Sequence, residues 1–176
     1  MKQKIKHNII LIGFMGCGKT SVGERLAKRL SYHFKDTDHI IEQEAGDTIS
    51  NIFKSQGEEY FRTFETNTLQ KLKSTLNNTI LSTGGGLPMK TQNAEILQKL
   101  GYVVYLKASK DTIIQRLEDD KTRPLLADNL NEKVERLLST RAPIYEKVAN
   151  KIIATDGRTF NEIIDFIMEA YLRQIS

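Results

Sequence analysis

The run Ile9-Ile10-Leu11-Ile12 ends at once in Gly13-Phe14-Met15-Gly16-Cys17-Gly18-Lys19-Thr20, and no other stretch of the chain limits its fold as tightly. Four consecutive apolar residues read as a strand buried on both faces, the mark of a parallel sheet covered by helices. The octapeptide matches G-x-x-x-x-G-K-[ST] at every fixed position, and Val22, Leu26 and Leu30 follow at helical spacing. At average residue usage such a match arises by chance in about 1% of chains this long. A strand, a glycine-rich loop and a helix in this order make a cradle for phosphate. The glycines let backbone N–H groups turn inward, and the helix N-terminus adds a positive dipole end. Lys19 brings a charge to the β/γ-phosphates of a nucleotide, and the Thr20 hydroxyl is a ligand for Mg²⁺. Cys17 lies inside the loop near a helix start, but no loop histidine is at hand as its base; it reads as an inert loop residue.

Composition removes several classes. At 176 residues the chain suits one domain, residues 1–176, with 39% hydrophobic and 27% charged residues. No stretch approaches the ~20 apolar residues of a spanning helix, so no membrane partner is expected. One cysteine excludes an internal disulfide, and 3 histidines beside it make a Cys/His zinc site improbable. The net charge of +4 and pI near 9.1 suit nucleic acid or small anions. The basic residues are spread along the chain, and the tight group Lys2, Lys4 and Lys6 reads as a solvated arm, so no nucleic-acid partner is expected. The apolar run after that arm is shorter than the ~7–15 residues of a secretory core, and the chain is expected in the cytoplasm.

Apolar runs then alternate with helical spacing. Tyr32–Phe34, Thr79–Ser82, Tyr102–Leu106 and Lys151–Ala154 read as further strands. Helices are predicted over Thr48–Phe53, Glu58–Leu72 and Asn93–Leu100, after a Ser109 cap, and from Leu130. Thr159 and Glu162 form a capping box for a last helix. The alternation predicts an α/β layered domain with a parallel sheet. Residues 118–129 are polar and aperiodic, long enough for a functional lid.

The remaining motifs narrow the class. No N-K-x-D or D-x-x-G accompanies the phosphate loop, which disfavours a regulatory GTPase, and the small size favours a small-molecule kinase. Asp36 and Asp38, read as one extended segment, point the same way. One then serves Mg²⁺ and the other a substrate hydroxyl. Arg62 is a candidate anion clamp, with Glu65 three residues on as the alternative partner. Thr83-Gly84-Gly85-Gly86 ends a strand where ligands bind in open α/β sheets, or is simply a tight turn. Arg123 falls in the suspected lid, and Arg141 opens Arg-Ala-Pro-Ile-Tyr145 near a helix start.

Taken together, G-F-M-G-C-G-K-T-S-V-G (Gly13–Gly23), D-T-D (Asp36–Asp38), F-R (Phe61-Arg62), T-G-G-G (Thr83–Gly86), R-P-L-L (Arg123–Leu126) and R-A-P-I-Y (Arg141–Tyr145) resemble the shikimate kinase family in order and spacing. The resemblance implies a three-layer P-loop kinase fold, with a five-stranded parallel sheet flanked by helices and a mobile lid. It implies transfer of the γ-phosphoryl of ATP to the 3-hydroxyl of shikimate, with Mg²⁺, by a monomer. Carried over by motif, Gly13, Met15, Gly16, Cys17, Gly18, Lys19, Thr20 and Ser21 hold the nucleotide phosphates, with Arg123 from the lid; the resemblance also implies Arg116, outside any tight motif, along the adenine. Thr20 and Asp36 serve the metal. Asp38 faces the attacking hydroxyl as candidate base, while Arg62 and Arg141 clamp the carboxylate beside Gly84, Gly85 and Gly86. Lys19, Asp38 and Arg123 form the implied catalytic set. A gluconate kinase-like enzyme for another polyol acid and a non-catalytic ATP-binding regulator are the alternatives.

Overall fold

The computed structural model describes residues 7–119 and 129–176. Strand β1 (Asn8–Ile12) is buried along its whole length, as its unbroken apolar run requires. It is flanked by β3 (Thr79–Ser82), also buried throughout, and by β4 (Tyr102–Lys107). The strands β2 (His33–Asp36) and β5 (Lys151–Ala154) form the edges and are correspondingly more exposed. All neighbours pair in parallel in the order β2-β3-β1-β4-β5. This is the five-stranded parallel sheet that the family resemblance implied.

Strand order locates the site. The chain leaves β1 toward β2, across β3, and leaves β3 toward β4, across β1. Right-handed crossovers then send the helices after β1 and β3 to opposite faces of the sheet. The crevice opens between the carboxyl ends of these two strands, where doubly wound sheets bind ligands. The two ends are stitched together there: Leu11 pairs with Ser82, and the Thr83 N–H donates to the Leu11 carbonyl at 3.2 Å.

Helix α1 (Lys19–Leu30) buries Val22, Leu26 and Ala27 and packs over β3 and against α7 (Phe160–Ile175). α4 (Thr91–Leu100) and α6 (Leu130–Val148) pack together against β4. α5 (Lys110–Asp119) lies against α6, with Ser109 accepting from the Thr112 N–H as its cap. The predicted capping box at Thr159 and Glu162 is formed.

Three expectations are corrected. Residues 37–45 form a helix, α2 (Thr37–Ala45), whose N-cap is Asp36. Asp36 and Asp38 therefore do not share one extended segment; a strand end and the first turn of a helix present them. The second strand runs over His33–Asp36, not 32–34. Arg141 is not near a helix start: α6 runs on through Pro143, and Arg141 lies in its interior. The two helices expected on either side of residue 57 are present as α3 (Ile49–Thr75), bent where Gly57 takes φ 84 and ψ 172. A small cluster of Ile41, Ile52 and Phe61 joins α2 to α3 beside the main core. Of the predicted lid, Glu118 and Asp119 belong to α5 and Asn129 is the N-cap of α6; residues 120–128 lie outside the described residues.

Candidate active site

A cleft of about 920 Å³ opens along the carboxyl ends of β1 and β3. The phosphate loop forms its middle. Gly16 (φ 78) and Gly18 (φ 95) adopt the left-handed backbone that lets the loop curl back on itself. The Lys19 ammonium is drawn over the loop, donating to the carbonyls of Gly13 at 2.8 Å and Phe14 at 3.0 Å, and lies 3.7 Å from the Cys17 sulfur. Met15, Gly16, Cys17, Gly18, Thr20 and Ser21 also line the cleft. Gly13 is not on its wall; its carbonyl holds Lys19 from behind.

Thr20 and Asp36 meet beside the loop, the hydroxyl donating to Asp36 Oδ2 at 3.5 Å. Asp36 Oδ1 accepts from the N–H groups of Asp38 (2.9 Å) and His39 (3.4 Å), so capping α2 also fixes this carboxylate. A hydroxyl and a carboxylate facing a phosphate loop are hard oxygen donors. That set fits Mg²⁺, which takes one or two protein ligands and completes its shell with phosphate oxygens and water.

One end of the cleft gathers two guanidinium groups. Arg62 Nη1 donates to Glu65 Oε2 at 2.8 Å, and Nη2 to the exposed Glu58 at 3.2 Å. Glu65 is buried, and burial pushes its carboxyl above the usual range although Arg62 pulls it down. Arg62 keeps a 27% exposed face toward the cleft and lies 5.4 Å over the Phe61 ring. The glycine turn fits between these groups because it lacks side chains. A Cβ on Gly84 would stand 2.6 Å from Asp38 Oδ1, and one on Gly86 2.5 Å from both terminal nitrogens of Arg62. The Gly84 N–H donates to the Thr37 hydroxyl at 3.0 Å, tying the turn to α2. Arg141 closes this wall, 5.7 Å over the Phe14 ring of the phosphate loop. Two guanidinium groups, a carboxylate and bare backbone thus surround one small volume beside the phosphate loop.

This arrangement accompanies a match of the shikimate kinase family profile to residues 15–172. The chain belongs to the shikimate kinase family. It is 43% identical over 155 residues to the shikimate kinase of Xylella fastidiosa strain M12, covering 88% of this chain and 86% of that protein. It is 42% identical over 167 residues to that of Thermodesulfovibrio yellowstonii, covering 94% and 95%. The solved shikimate kinase from Acinetobacter baumannii in complex with shikimate superposes with a TM-score of 0.89 at 40% identity, covering 96% of this chain and 94% of that one. As a shikimate kinase family member the chain is an ATP-dependent kinase.

In this shikimate kinase fold the other end of the cleft runs past Arg116, whose Nη1 donates to the Gly16 carbonyl at 2.9 Å. Thr155, Arg158, Thr159 and Phe160 continue this wall. Sequence reasoning missed them as cleft residues, taking Thr159 only as a helix cap. Asp156 between them accepts from the Ser109 N–H at 2.9 Å and from both the Ser109 and Thr112 hydroxyls, joining the loop after β5 to the start of α5. Phe61 of the F-R motif reaches the cleft, as do Ile49 and Phe53, which no motif announces. Arg123 lies outside the described residues. No helix among the described residues is long and apolar enough to cross a membrane.

Proposed function

We propose that this kinase transfers the γ-phosphoryl of ATP to the 3-hydroxyl of shikimate, giving ADP and shikimate 3-phosphate. The single observation carrying this reading is the acceptor wall: Arg62, Arg141, Asp38 and the Gly84–Gly86 turn around one volume next to the phosphate loop. Shikimate is a small carboxylate with ring hydroxyls. Guanidinium groups bind the carboxylate in a planar, paired fashion, which suits Arg62 and Arg141. Asp38 accepts from the attacking hydroxyl and orients its oxygen toward the phosphate loop. A second nucleotide phosphate at that position meets the Asp38 carboxylate, which disfavours a nucleoside monophosphate as acceptor.

Transfer is then mostly positioning and charge stabilisation. Lys19 leaves the Gly13 and Phe14 carbonyls for the β/γ-phosphates, and the loop N–H groups hold the same oxygens. Thr20 and Asp36 are the residues to hold Mg²⁺, which when bound neutralises charge on the phosphates. Arg116, with the wall from Thr155 to Phe160, takes the nucleoside end. The kinase is taken to work as a monomer, and a lone buried thiol suits the cytoplasm.

The test is ADP release from Mg-ATP with shikimate, gluconate, AMP or no acceptor, and a Lys19→Ala control. The reading expects turnover with shikimate alone, lost in the control. Turnover with gluconate instead replaces the acceptor, and ATP binding without acceptor-dependent turnover turns the protein into a regulator.

A further inference from the structure

Tyr145 does not line the cleft, yet it touches two parts of the acceptor wall from behind. It stands four residues after Arg141 in α6, so both side chains leave one face of that helix. The Tyr145 hydroxyl donates to the Gly85 carbonyl at 2.6 Å. The Arg141 guanidinium lies near the same hydroxyl, where it works against the upward pull of burial on the phenol's pKa, and it also borders Gly85, with Nη1 3.5 Å from where a Cβ there would stand. A phenol has one proton to give, and here it is committed to the glycine turn of the acceptor wall, with Arg141 alongside.

The ring itself is held. Tyr145 is fully buried and packs on Tyr105 with centroids 5.0 Å apart. Burial holds its phenol well above the ordinary tyrosine range, although Arg141 pulls the other way, so the donor persists at neutral pH. Gly85 lies at the meeting point: a Cβ there would make ordinary contacts at 3.5 Å with Arg141 Nη1, the Gly13 carbonyl and the Met15 nitrogen. One hydroxyl therefore sits where α6, the glycine turn and the phosphate loop converge.

We propose that Tyr145 is a positioning residue for the acceptor. Its hydroxyl fixes the Arg141 guanidinium against the Gly85 backbone and so sets the seat of the acceptor carboxylate relative to the phosphate loop. The proposal rests on the acceptor reading above. It acts through Arg141 and Gly85, since Tyr145 itself is screened from the cleft.

Tyr145→Phe removes one oxygen and keeps the ring pair. The KM for shikimate is expected to rise about three- to tenfold, the range of one lost hydrogen bond in the wall. The KM for Mg-ATP stays within about twofold, because the phosphate loop keeps its own contacts. In an Arg141→Lys background the effect of Tyr145→Phe shrinks, as expected of two groups acting as one unit. An unchanged shikimate KM, or equal rises in both KM values, overturns the proposal while leaving the acceptor reading intact. Absence of shikimate turnover in the native protein overturns both. Should Tyr145→Phe fail to fold, the hydroxyl proton of Tyr145 is followed by NMR in the native protein. It is expected to shift with saturating shikimate and not with Mg-ADP alone; no shift with shikimate overturns the proposal.

Discussion

Arg62 Nη1 and Glu65 Oε2 lie 2.8 Å apart, and the Glu65 side chain is only 1% exposed. The pair orients Arg62 more than it strengthens it, because the second carboxylate within reach, Glu58, sits 67% exposed on the solvent side. Glu65→Ala lets Arg62 swing to Glu58, away from the glycine turn. The expected result is an about tenfold rise in the shikimate KM, equivalent to about 1.4 kcal/mol. The KM for Mg-ATP is unchanged. Steady-state kinetics with each substrate varied in turn checks this.

The same carboxyl carries a pH signature. Burial raises its folded pKa over the unfolded value, against the pull of Arg62. The native state therefore holds this proton to higher pH than the unfolded chain does. Its contribution to stability is present below the ordinary carboxylate range and is lost as pH rises through the raised value. In a melting series across the acidic range, native protein should lose stability relative to Glu65→Gln as pH rises through that window. Parallel curves contradict the assignment.

Two glycines separate site from scaffold. A methyl on Gly86 meets the terminal nitrogens of Arg62, the movable end of a long side chain. A methyl on Gly101 collides with the backbone carbonyl of Asn8, which pairing of β1 holds in place. Gly86→Ala should fold normally and lose shikimate affinity. Gly101→Ala should cost about 1–3 kcal/mol, a fall in Tm of several degrees, with the shikimate KM little changed. Thermal melts beside kinetics on both variants decide this.

Asp156 ties together, through Ser109 and Thr112, the wall proposed to take the nucleoside. Although its slight burial works the other way, the hydrogen bonds from Thr112 and Ser109 hold its carboxyl below the usual range. Its stabilising effect is thus present above that range and lost as pH falls through the lowered value. Asp156→Asn should raise the KM for Mg-ATP about three- to tenfold and leave that for shikimate alone. An effect on shikimate instead contradicts the division of the cleft into two ends.

Much of this was legible in the residues, for physical reasons. A strand buried on both faces has to be apolar throughout, so Ile9–Ile12 announces β1. Glycine motifs announce backbone that approaches a ligand. Helix α2 was illegible because Thr37–Ala45 carries only Ile40 and Ile41 as large apolar residues, too few to show a period. The position of Arg141 was misread because proline favours a first helical turn, whereas α6 continues through the exposed Pro143. Glu65 was visible only as a partner three residues from Arg62; its burial follows from packing that no local pattern records. The wall from Thr155 to Phe160 is assembled across the sheet by Asp156 and the start of α5, a contact 47 residues apart.

One particular oxygen, that on C3 of shikimate, is expected to receive the phosphoryl group. The most direct measurement is a ¹H–³¹P correlation spectrum of the product formed from shikimate and Mg-ATP by the native protein. Phosphorus coupled to the proton on C3, absent with Lys19→Ala, is the predicted result. Phosphorus on another ring oxygen, or ADP formed with shikimate left unmodified, contradicts the account.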